Sequence, residues 1–138
     1  MIGTVFSTYN DYLKTVSEYA ENEVLNSEKY QPSSVADKNF FLLFEEKTYK
    51  PSSGNTEEAT VKFTLKVIYK FPSKNSLSVN QTNTWNSMGE LERGLMDFAD
   101  SEGDVICFDS IGLSKLTPDF WLATFAGRLI YLRSTEYE

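Results

Sequence analysis

The chain has no histidine and a single cysteine, Cys107, among its 138 residues. The missing imidazole removes the commonest general base at neutral pH and the commonest transition-metal ligand. One thiol excludes an intrachain disulfide and a cysteine-rich zinc site. Set in the apolar run Val105-Ile106-Cys107-Phe108, it reads as a core thiol rather than a nucleophile. Long apolar runs are also missing, and nothing approaches the ~20 residues of a membrane span. Residues 1–6 carry neither a basic cluster nor an apolar stretch, so no signal peptide is expected, and synthesis in the cytoplasm is. Lys and Arg number 13 against 20 Asp and Glu, for a net charge of −7 and a pI near 4.6. That sign is wrong for a protein whose main task is wrapping nucleic acid, although a local basic face could still do so.

What the chain does have is apolar and aromatic residues, 41% and 14% of the total. That suffices for a core without disulfide or metal, and one domain over residues 1–138 is expected. The clearest segment is 61–72, VKFTLKVIYKFP. Val61, Phe63, Leu65, Val67, Tyr69 and Phe71 alternate with Lys62, Thr64, Lys66, Ile68 and Lys70. Strand side chains alternate faces, so one face is apolar and the other bears three lysines. Pro72 lacks an N–H and closes the strand.

Val5, Phe6, Tyr9, Leu13, Val16, Ala20 and Val24 predict one amphipathic helix over residues 5–25. Residues 26–39 read as a polar connection. The run Phe40-Phe41-Leu42-Leu43-Phe44 predicts a short strand covered on both faces. Residues 45–59, with Pro51-Ser52-Ser53-Gly54-Asn55 at their centre, predict a long flexible loop. After the lysine-bearing strand, residues 73–84 read as a second polar connection. Trp85, Met88, Leu91, Leu95, Phe98 and Ala99 then predict a second helix, with Ser87 and Glu90 at capping-box spacing and Gly103 as its stop. Gly89 and Gly94 weaken this helix and would let it lie close against a sheet. Residues 105–116 and 120–132 predict an antiparallel hairpin turning at Thr117-Pro118-Asp119. The last strand is largely apolar on both faces, which places it centrally or beneath another covering element. The order α–β–β–α–β–β implies an α+β domain, two helices on a mostly antiparallel sheet.

No residue pattern points to a reaction. Nucleophile elbow, P-loop and dinucleotide-binding glycine patterns are all missing, and no pair among the twenty acidic residues is distinctive. No catalytic residue, cofactor or metal is therefore assigned. Asp97, Asp100, Glu102, Gly103 and Asp104 resemble part of a calcium loop, but the twelfth-position Glu is missing and a solvated helix end accounts for them better. Lys62, Lys66 and Lys70 are read either as a solvated face that discourages edge pairing or as a basic stripe facing DNA or an acidic neighbour. The sequon Asn80-Gln81-Thr82 carries little weight without a secretion signal.

Taken in order, these elements resemble the tail terminator proteins of long-tailed phages, the lambda-type minor tail proteins. The resemblance rests on the helix over 5–25, the strand-then-proline VKFTLKVIYKFP, the helix with Trp85 and Leu91, and the closing FWLATFAGRLIYL. It implies a homo-oligomeric ring, a hexamer, that caps the tail tube, stops its growth and offers a surface to the head–tail connector. The implied location is the virion tail, assembled in the host cytoplasm, with no membrane. On that reading Lys62, Lys66 and Lys70 are candidates for a channel face passed by DNA. The loop residues Lys50, Asn55, Glu57 and Glu58 are candidates for contact with tube or connector, as is the 73–84 segment. Arg128 and Phe125 are candidates for the subunit interface. Two alternatives remain: a neck or head–tail adaptor of the same particle, and a small α+β ligand-binding or enzyme domain. The last would draw attention to Arg128 and Asp109, the charges embedded in apolar strand segments.

Overall fold

A computed structural model of the chain describes residues 2–15, 18–27, 31–50, 56–72 and 74–134. Helix α1 spans Ile2–Thr15 and buries Val5, Tyr9 and Leu13, one side chain per turn. It ends about ten residues before the periodicity predicts. Glu18 takes a left-handed backbone (φ 60°), and the Tyr19 N–H returns to the Leu13 carbonyl at 2.9 Å. The chain then forms a two-residue strand, β1 (Ala20–Glu21), and two 3-10 turns, Glu23–Asn26 and Pro32–Ser34. Asn22 caps the first turn, and its amide donates to Ser34 O and Asn39 Oδ1, both at 2.9 Å. Val24 and Leu25 thus serve a second cluster rather than a longer helix.

Strands β2 (Asn39–Lys50) and β3 (Thr56–Lys70) form an antiparallel pair that absorbs most of the predicted 45–59 loop. Only residues 51–55 of that loop, including Asn55, lie outside the described residues, while Lys50, Glu57 and Glu58 belong to strands. Helix α2 (Leu77–Ser101) begins two turns earlier than predicted. Its N-cap is Ser76, whose hydroxyl accepts from Val79 N at 3.2 Å, so Ser87 and Glu90 lie mid-helix and form no capping box. Gly103 at φ 77° ends it as expected. Strands β4 (Val105–Lys115) and β5 (Phe120–Ser134) close the chain as the predicted hairpin.

The fold is α+β, with a mostly antiparallel five-stranded sheet in the order β1-β2-β3-β5-β4; only the β1–β2 pair is parallel. β5 is central, as its two apolar faces require. Both helices lie on one face, where Val61, Phe63, Leu65, Val67 and Tyr69 of β3 meet Ala123, Phe125, Leu129 and Tyr131 of β5. The helices also meet each other. The Tyr12 and Phe98 rings stack at 4.3 Å, and a Cβ on Gly94 would come within 2.7 Å of the Tyr12 hydroxyl. Gly94 therefore serves helix–helix approach rather than helix–sheet approach, and Gly89 has no neighbour that a side chain would disturb.

β-Bulges in β2 (after Phe44) and β4 (after Phe108) change which residues face the helices. In β4 the apolar residues fall out of phase, with Ile106 and Phe108 followed by Ile111 and Leu113. The extra residue, Asp109, brings both pairs onto the covered face, and all four pack against the core. Asn80, fully buried near the start of α2, donates to the Pro72 and Pro118 carbonyls at 3.0 and 3.2 Å. It joins the end of β3, the helix and the β4–β5 turn.

Candidate assembly surface on the uncovered sheet face

Among the described residues, neither α-helix packs on the opposite face of the sheet. The register makes each row across it explicit. At one end Ile68 is fully buried beneath Leu25 and Val35, with Phe41, Phe120 and Leu122 packed around them. Val24, Leu25 and Val35 thus form a partial lid at this end. The next rows hold small side chains, Thr64–Ala126–Ser110 and Thr124–Gly112, alongside Lys66. Beyond them runs a charged row, and beyond that Val105, Ile130 and Leu132, the first and last each 54% exposed. Leu43 adds a further exposed apolar group on β2.

The charged row reads acid–base–base–acid across four strands. Lys62 and Arg128 stand directly opposite each other on the two central strands. Each is paired outward, Lys62 Nζ to Glu46 Oε2 at 3.8 Å and Arg128 to Asp109 through bonds of 3.1 and 3.2 Å. Hydrogen bonding and the charge of Asp109 push the Arg128 pKa up from its ordinary value. All four side chains remain substantially exposed, so these pairs orient charge more than they stabilise the fold. Glu45, at the β2 bulge, accepts a hydrogen bond from the Thr64 hydroxyl.

Lys62, Lys66 and Lys70 do share this face, as the alternation predicts. The register sets four carboxylates, Glu45, Glu46, Glu58 and Asp109, on the same face. The stripe is therefore a cationic centre with acidic rims rather than a uniformly basic surface. Lys70 is drawn to the lidded end, with Nζ 5.3 Å from the Phe120 ring centre. Glu58 lies on β3 opposite Lys50 and Leu132, part of a strand ladder rather than a flexible loop. Residues 77–84 of the predicted second connection form the first turns of α2 on the other side of the sheet. Arg128 lies on the uncovered face. Phe125 does not: it is fully buried under the helices and leaves the set of interface candidates. Glu46, Asp109, Val105 and Leu132 belong to this surface but were not assigned to an interface from the sequence. The signal for Asp109 was present, an acid and Arg128 each embedded in apolar strands, but their meeting depends on the pairing register.

On the helix-covered side an open recess of about 220 Å³ lies between Tyr19, Lys38, Ser87, Glu90 and Leu91. A void of about 20 Å³ between helices and sheet is lined by apolar and aromatic side chains including Leu13, Leu65, Leu95 and Leu129, far below the volume of a ligand chamber. Asp104 is buried and accepts the Tyr9 hydroxyl at 2.6 Å, so it is committed to the core. Among the described residues no three acidic or cysteine side chains converge on a metal position, and no helix is long and apolar enough to cross a membrane. A second buried polar contact joins the Tyr19 and Tyr69 hydroxyls at 2.8 Å. Burial raises the pKa of both phenols, that of Tyr69 far beyond its ordinary value. No family model matches the chain, and no curated protein matches its sequence.

Proposed function

We propose that the protein is a structural component of a long phage tail, a terminator that assembles as a homo-oligomeric ring on the tail tube, stops its growth and presents a surface to the head–tail connector. The observation that carries the assembly part of this reading is the uncovered sheet face. Its two central strands hold a cationic strip between acidic rims, flanked by exposed Leu43, Val105 and Leu132. A face of this kind is suited to a protein neighbour, since exposed apolar groups on both sides of ordered charges favour a docked partner over bulk water. The specific placement in a phage tail rests on the architectural resemblance, an analogy of fold.

The balance of charge bears on the role of the lysines. A wall that guides DNA needs net positive charge, whereas this face pairs Lys62 with Glu46 and Arg128 with Asp109. We therefore assign Lys62, Lys66 and Arg128 to subunit contact rather than to a DNA channel. Negative-stain microscopy of the purified protein mixed with polymerised tail tubes tests termination. Tubes capped and arrested at constant length are the expected result, and tubes that keep growing with bare ends would overturn it. Binding to the connector with no effect on tubes would transfer the protein to the neck.

A further inference from the structure

We infer that the partner of the uncovered sheet face is the outer surface of helix α2 of a second copy, in a head-to-tail arrangement. This rests on the assembly reading above and names the contact through which it would proceed. Three observations lead to it.

The first is the order of charges on the sheet. The row Glu46–Lys62–Arg128–Asp109 reads the same from either end. Two such faces stacked in register would set cations on cations and acids on acids, which disfavours a symmetric sheet-to-sheet dimer.

The second is the charge of the helical layer. Between Leu77 and Ser101, α2 carries Glu90, Glu92, Asp97 and Asp100 against Arg93 alone. The central strands of the uncovered face offer Lys62, Lys66 and Arg128. An acidic helix over this strip brings opposite charges together at its centre.

The third is apolar surface on both sides. Trp85 and Met96 of α2 are 43% and 48% exposed. With Gly89 between them, they lie within about 40° on the helix surface, opposite the Gly94–Phe98 side that meets α1. A 25-residue helix is about 37 Å long. The uncovered stretch from Glu58 to Lys66 is about 30 Å long and four strands wide. The helix thus spans the face. A contact of this size covers roughly 500 Å² per partner, below the ~800 Å² of a stable pairwise interface. A single contact is accordingly weak, and the arrangement gains stability when each copy contributes both surfaces, as in a closed ring.

The test is sedimentation velocity at low salt over concentrations reaching the order of hundreds of micromolar, the range expected for a contact this small. The wild type associates with concentration, and salt weakens the association. Lys66→Glu, whose ammonium makes no ion pair among the described residues, and Asp97→Lys with Asp100→Lys on the helix each weaken association roughly tenfold or more. Mixing the sheet-side variant with the helix-side variant restores it, because each then meets an opposite charge at both contacts. Unchanged melting temperatures show that the variants fold. Lys62→Ala serves as a milder sheet-side variant if the reversal does not fold. A helix-side variant that associates like the wild type, a mixture that fails to recover, or a wild type that stays monomeric throughout would each overturn the docking. Tubes capped by variants that no longer self-associate would sink this contact and leave termination standing. Charge-dependent association with bare tubes would do the reverse.

Discussion

Strands β3 and β5 show two different surfaces to their two sides, and the same backbone builds both. Toward the helices they present Phe63, Leu65, Val67, Phe125 and Leu129, each at most 4% exposed. Toward the other side they present Lys62 and Arg128, which are exposed, and Thr64, Lys66, Thr124 and Ala126, which are partly exposed. The difference is one of phase alone, since a residue and its successor point to opposite faces. It teaches that stability and assembly are separable here. One set of positions holds the fold, and the interleaved set is available for contact with little penalty to folding.

Substitutions across this division should differ by an order of magnitude. Phe125→Ala, which empties the centre of the covered face, is expected to cost about 3–5 kcal/mol. Its neighbour Thr124→Ala, facing the other way, should stay within about 0.5 kcal/mol. Urea denaturation of both measures the contrast, and similar losses would break it. Leu25→Ala probes the lidded end of the open face, where Leu25 is fully buried with Val35 and Ile68. A cost of about 2–4 kcal/mol is expected. A near-neutral result would mean that the lid contributes nothing to the fold.

Tyr69→Phe removes the Tyr19–Tyr69 hydrogen bond and should cost about 1 kcal/mol near neutral pH. The same pair sets an alkaline limit. Burial raises both phenols above their ordinary value of 10.0. The folded state then keeps protons that the unfolded chain releases, so stability is intact below pH 10 and falls as pH rises past it. Thermal melts between pH 8 and pH 11 should show that fall, and Tyr69→Phe should flatten it. The smallest effect belongs to the charged row. A double-mutant cycle on Lys62 and Glu46 should give at most about 0.5–1 kcal/mol of coupling, lost in high salt.

The strands with clean alternation were legible in the sequence. Residues 61–70 keep period 2 and residues 120–132 are apolar on both faces, and the structure places both strands in the interior of the sheet. The helical ends were less so. Ala20 and Val24 continue the spacing of Val5, Tyr9 and Leu13, yet the chain leaves the helix, with Glu18 in the left-handed region. Periodicity cannot register that turn. Residues 77–84 were read as a connection because they are polar, but Asn80 and Thr84 occupy buried helical positions. There Asn80 donates to two loop carbonyls, and the Thr84 hydroxyl donates to Asn80 O at 2.7 Å. Polar residues satisfied inside a core are invisible to a pattern that equates polar with exposed. Residues 45–50 and 56–59 were misread for a related reason: a strand pair rich in Glu, Lys and Thr resembles a loop. Of the candidate surface, the lysine side was legible. Its acidic rims were not, because they depend on bulges and cross-strand register.

The central pairing of β3 with β5 joins Thr56 to Ser134 and Lys70 to Phe120, with all of α2 and β4 in the chain between them. The seam that organises the sheet is therefore closed only after α2 and β4 have been made. During synthesis β2 and β3 can form a hairpin early, but Phe63 and Leu65 have no full cover until β5 leaves the ribosome. A chain halted before residue 120 has both helices and no completed core, a species that chaperones would hold and proteases would find.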